Sequence, residues 1–170
     1  DGTASGAIRA SQTSPNRTTQ HPVLHASENG LVLAYSTSDG DAAVGDTHIV
    51  VRTFDGSAFG PTVAVSNLSD GWSDALPTLA HDGVGGLVAA WTATNASGSS
   101  SRLMFARYFE GSWAAPLSLA ELGSSPSSAP ALATADSDVR IIAYNVAGGA
   151  FLAALRANPE PSNGDDTAPT

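Results

Sequence analysis

Leu31-Val32-Leu33-Ala34-Tyr35, Leu87-Val88-Ala89-Ala90-Trp91 and Val139-Arg140-Ile141-Ile142-Ala143-Tyr144 are three versions of one phrase, and their spacing decides how the chain is organised. Each is an apolar run of strand length closed by an aromatic residue. Pro22, Pro77 and Pro130 open the three copies, at steps of 55 and 53 residues; Tyr35 to Trp91 is a step of 56 and Pro61 to Pro116 a step of 55. A period of this size built from short strands marks stacked repeats, in which each unit buries its apolar face only against a neighbour.

In the middle copy the pattern predicts strands over 78–81, 87–92, 102–109 and 112–119, with turns at Asp82-Gly83 and Glu110-Gly111 where glycine supplies a positive φ. The second strand is apolar at consecutive positions in every copy, which in an antiparallel sheet means that both faces are covered. Ala89, Ala90 and Ala143 suit close approach of neighbouring sheets, while Tyr35, Trp91 and Tyr144 fill a wider gap further along. Four antiparallel strands per unit make a propeller blade. The expected fold is all-β, a β-propeller segment of about three four-stranded antiparallel blades.

The ends are cut alike. Residues 7–13, followed by a polar loop and Pro22, match 113–119 followed by a polar loop and Pro130, so the chain is expected to start with an outermost strand lacking the rest of its blade. The third copy lacks that strand. The division is 1–19 orphan strand and loop, 20–74 and 75–127 full repeats, 128–157 an incomplete repeat, and 158–170 a Pro/Asp-rich linker. Propellers close with about 4 to 8 blades, so the terminal blade is expected to be completed by the N-terminal strand, a partner polypeptide or a second copy. Residues 151–157 are Ala- and Leu-rich enough for a helix by propensity, but the repeat register favours a strand. Asp166-Thr167-Ala168-Pro169-Thr170 resembles the lead-in to bacterial immunoglobulin-like repeats.

The net charge of −9, with seven arginines and no lysine, argues against nucleic acid or an anionic membrane as partner, since both require clustered positive charge. Without cysteine there is no disulfide framework or thiolate metal site. No apolar run reaches the roughly 20 residues of a membrane-spanning helix. Abundant Ser, Thr, Asn, Gly and Ala point to an extracellular or surface-displayed bacterial protein.

The phrases Phe54-Asp55-Gly56-Ser57-Ala58-Phe59 and Phe109-Glu110-Gly111-Ser112-Trp113 fall between third and fourth strands, where sialidase-like propellers carry the Asp-box motif. The blade pattern resembles that superfamily over nearly the whole chain, without intact Asp boxes: Asp55 and Gly56 are adjacent, and the phrases read as hairpin turns with an aromatic beneath. For a sialidase-like glycosidase the resemblance implies an arginine triad, a Tyr–Glu nucleophile pair and an acidic proton donor. Arg52 and Arg107 lie one period apart, which favours equivalent structural roles such as a blade-edge ion pair; Glu28, Glu110, Glu121 and Glu160 fall in turns or linker. His21, His25, His48 and His81 show no metal-ligand spacing.

Two loops carry candidate sites. Trp72, flanked by Asp70 and Asp74, has no aromatic counterpart in 121–129, so the repeat does not demand it. It is the candidate sugar-stacking residue, with the carboxylates accepting hydroxyl hydrogen bonds; the competing reading is packing or assembly. Asp39, Asp41 and Asp46, on the Gly-containing loop 38–46, are the candidate calcium ligands against a plain solvated acidic loop, and no other cofactor is implied. The sequence reads as a non-catalytic binding or scaffolding module of a secreted multidomain bacterial protein, with self-association, another polypeptide or a glycan as partner. The alternatives are a sialidase-like glycoside hydrolase fragment and a purely structural assembly subunit.

Overall fold

The computed structural model describes residues 8–11, 18–27, 30–38, 46–66, 71–83, 85–123, 128–136, 139–146 and 149–156. Among these described residues twelve strands run in chain order. β1 (Thr19–Ser27), β2 (Gly30–Ser38), β3 (Thr47–Phe54) and β4 (Val63–Ala64) form a first antiparallel sheet in that order. The second contains β5 (Trp72–His81), β6 (Leu87–Asn95), β7 (Ser101–Phe109), β8 (Ser112–Trp113) and β9 (Leu117–Gly123), with β8 and β9 both pairing to β7. The third is β10 (Ala131–Asp136), β11 (Val139–Val146) and β12 (Gly149–Arg156). The chain is thus all-β, and the Ala/Leu-rich stretch after Gly149 is a strand.

The sheets stack through side chains that alternate along β6. Leu87, Ala89 and Trp91 join Leu79 and Ala106 against Val32, Ala34, Ile49, Val51 and Val65 of the first sheet. Ala90 points the other way, joining Leu103 and Leu122 against Ile142 of the third. Period-2 geometry sends successive side chains to opposite faces, so seven consecutive buried residues at the start of β6 require a neighbour on both sides. Ala89 and Ala90 are fully buried, as expected for close approach. Burying a large apolar side chain contributes about 1.5–3 kcal/mol, and β6 does this on two faces at once.

Several boundaries differ from the sequence expectation. The first strand of the middle repeat begins at Trp72, not Thr78, because it passes Leu76-Pro77 through a register shift, with Leu76 at φ 55°. The same device recurs at His21-Pro22 in β1, where His21 has φ 52°. Proline has no N–H to give the ladder and is tolerated in a sheet at a bulge, so the repeated proline marks a bulge inside the strand. The outer strand expected over 112–119 is broken into β8 and β9 around Pro116 for the same reason. Of the orphan strand expected over 7–13, the described residues 8–11 lie outside any strand, and Arg52 Nη1 donates to the Ala10 carbonyl.

The register also separates the two arginines. Tyr35 faces Val50 and Trp91 faces Met104. With Tyr35 and Trp91 as counterparts, Arg52 therefore corresponds to Ala106 and Thr53 to Arg107. One residue of offset reverses the face, so equal spacing in sequence does not make Arg52 and Arg107 equivalent.

Glu110 and Gly111 are the two central residues of the β7–β8 hairpin, both with positive φ (51° and 87°), as a type I′ turn requires. In the first sheet the corresponding loop is longer: Asp55 Oδ1 accepts from the backbone N–H groups of Ser57 and Ala58, and Asp55 N–H donates to Ala58 O. Gly111→Val should destabilise the protein by about 1 kcal/mol or more, because open space at that position does not relieve the φ strain. Glu110→Asn should raise the melting temperature, since Asn tolerates that backbone region. Unchanged melting temperatures for both variants would contradict this account of the turn.

Candidate functional site

Trp72 starts β5 opposite Asn95, and the Arg102 guanidinium lies 3.9 Å from its ring centroid. Arg102 also pairs with Glu121 at 3.0 Å, so indole, guanidinium and carboxylate form one surface stack within the second sheet. Asp74, two residues on, is buried, and its Oδ1 accepts the Trp91 indole N–H at 2.8 Å. Alternation along the strand sends both side chains to one face, but they serve different partners: Trp72 packs on Arg102, Asp74 on the core. Asp70 lies outside the described residues.

The logic of Asp74 follows from Trp91. Tyr35 and Tyr144 hold the matching positions in the other sheets and carry no indole N–H, whereas a buried donor without an acceptor costs about 1–3 kcal/mol. A unique Trp and a unique Asp in the same repeat are therefore one feature. The second buried carboxylate, Asp82, accepts from Arg107 Nε and Nη2 at 2.8 and 2.7 Å and from Gly86 N–H at 2.7 Å. A Cβ on Gly86 would fall 2.4 Å from Asp82 Oδ2 and from the Tyr108 carbonyl oxygen, which is why that position holds glycine. Arg107 is an ion-pair residue; Arg52 instead donates to the carbonyls of Gly60, Phe59 and Ala10.

Asp46 is half-buried just before β3, while Asp39 and Asp41 lie outside the described residues. Among the described residues no group of three or more His, Asp or Glu side chains is arranged to hold a metal ion. Asp55 is fully exposed, and the N–H donors of its turn lower its pKa to about 2. Among the described residues no helix is long and apolar enough to cross a membrane.

A cavity of about 280 Å³ opens between the first two sheets. Val32 and Val51 form one wall, and Leu87, Tyr108 and Trp113 the other, with the Tyr108 and Trp113 ring centroids 5.5 Å apart. Ser27, Thr53, His81 and Ser112 supply its polar groups, while the Arg52 side chain, level with Leu33 and Leu24 across the first sheet, lies on that sheet's other face. His81 meets His25 of the first sheet edge to face at 4.9 Å. His25 Nε2 is buried without a hydrogen-bond partner among the described residues. Sequence reasoning missed this cleft, because the residues that build it look like ordinary strand and turn positions.

No family model and no curated protein matches the chain.

Burial penalises the His25 imidazolium, and repulsion from His81 adds to this, so its pKa lies below the ordinary value. In the unfolded chain His25 takes up a proton near pH 6.5. The unfolded state therefore binds more protons below that pH, and stability present above it is lost as pH falls through about 6.5. The melting temperature should drop between pH 7 and pH 5, and His25→Gln should flatten that dependence. Parallel curves for the two proteins would rule out His25 as its source.

Proposed function

We propose that this chain is an arc of a β-propeller and acts as a non-catalytic scaffolding and binding module of a secreted bacterial protein, closing its ring through the outward faces of its first and third sheets. The observation that carries this reading is the contrast between equivalent residues. Leu24 pairs with Leu33 as Leu79 pairs with Ala89, yet Leu24 is 57% exposed and Leu79 7%. At the other end, Leu152 faces Ala143 as Phe105 faces Ala90; Phe105 packs toward the next sheet, and Leu152 is 73% exposed.

Each end thus repeats half of an interface that the chain already makes twice internally. The faces are complementary in a head-to-tail sense, which generates a ring when the rotation closes. A second copy supplies the missing sheets most simply, because it presents the first-sheet face to the third-sheet face and the reverse. Two copies would provide six sheets, within the range of known propellers, about 4 to 8 blades. The loops at the strand ends would then carry binding on a rigid frame.

Light scattering tests this reading. The wild-type chain of 17.1 kDa is expected to run at twice that mass, and Leu24→Glu or Leu152→Glu, each placing a charge on an end face, should return it to monomer with its secondary structure intact. A wild-type monomer at every concentration, stable and cooperatively folded, would overturn the ring.

A further inference from the structure

His25 and His81 meet across the gap between the first two sheets, and the repeat asks for neither. His25 pairs with Val32 as Ala80 pairs with Val88 and Ala133 with Ile141; His81 pairs with Leu87 as Ala26 pairs with Leu31 and Thr134 with Arg140. At the matching point between the second and third sheets the chain therefore places Ala80 and Thr134, and Thr134 Oγ1 donates to the His81 carbonyl. Small side chains suffice to pack that junction. Two imidazoles in the same place leave His25 Nε2 buried with no hydrogen-bond partner among the described residues, an arrangement that works against stability unless something binds there.

The separation of the rings suits a shared metal ion. An imidazole nitrogen binds zinc at about 2.0–2.1 Å, which puts the ring centre roughly 3.2 Å from the ion. Two such rings at coordination angles of about 90–110° have centres about 4.5–5.2 Å apart, and those of His25 and His81 are 4.9 Å apart. The rings meet edge to face at 67°, and rotation about χ2, a broad torsion in histidine, aims both nitrogens at one point. Burial and the neighbouring His81 favour the neutral form of His25, which is the form that ligates. His81 lines the cleft between the sheets, so the remaining coordination positions open on that cleft and take water.

We propose that His25 and His81 form a two-histidine site for a late first-row divalent transition ion of the zinc, nickel and copper class, which joins the first sheet to the second. Imidazole selects this class over calcium and magnesium, which require oxygen ligands; the ligand chemistry is therefore the opposite of that offered by Asp39, Asp41 and Asp46. The two ligands lie 56 residues apart on different sheets, so no local spacing announces them. The site lies within a single chain and stands or falls independently of ring closure.

Zinc is the probe, titrated into the full chain by calorimetry, with the histidine ring nitrogens followed by NMR. One ion per chain is expected, moving the ring-nitrogen signals of His25 and His81 and leaving those of His21 and His48 in place. His25→Gln and His81→Gln should each weaken zinc binding at least about tenfold, since each removes one of two protein ligands, while His21→Gln keeps wild-type affinity. Saturating zinc should raise the melting temperature of the wild type, because the ion binds only when the sheets are together, and should leave both variants unchanged. Should a variant fail to fold, the wild-type ring-nitrogen spectrum decides the matter. The proposal is overturned by absence of saturable zinc binding in the millimolar range, by shifts at His21 or His48 in place of His25 and His81, or by wild-type affinity in a folded His25→Gln or His81→Gln protein.

Discussion

Burial of the second sheet on both faces is the constraint from which the rest follows. β6 has no polar side facing water along its first seven residues, so a single neighbouring sheet would leave half of its apolar surface exposed. The interface with the first sheet centres on Trp91; that with the third centres on Leu103, Leu122 and Ile142. Trp91 is admissible at this depth because Asp74 Oδ1 accepts from its N–H, and Asp74 because the indole N–H is there to donate to it. The ion pair of buried Asp82 with part-exposed Arg107 acts at one end of the same sheet, tying the β5–β6 connection to β7.

The outward faces of the first and third sheets inherit the same pattern with no further sheet against them among the described residues. In a repeat protein a face is shaped by the unit it meets, and an end face keeps that shape whether or not a unit is present. Leu24 and Leu152 are therefore more informative than scattered surface apolar residues, since each has an interior counterpart that shows what such a position packs against.

Much of the fold was legible. The apolar runs, the turn glycines and the proline period give the strands, their antiparallel order and the double burial of the central sheet, because these depend on local pattern. The sequence pattern suggests a continuous outer strand although Pro116 interrupts it, and a late start for the strand through Pro77, because a bulge hides inside an apparently loop-like phrase. Arg52 and Arg107 looked equivalent since sequence counts residues, whereas pairing counts register. The site was less legible. Trp72 and Asp74 stand two residues apart, and nothing in the sequence says that one carboxylate turns inward to an indole seventeen residues on. The cleft was invisible, because a void is a property of two facing surfaces and has no residue of its own.

Hydrogen exchange read by mass spectrometry tests the central claim most directly, since protection ranks segments by the free energy needed to open them. If double burial of the second sheet holds the stack together, the amides of β6 and β7 exchange most slowly, opening only with global unfolding, and those of β10 to β12 exchange sooner. Protection greatest in β11 and β12, with β6 opening early, would contradict the account.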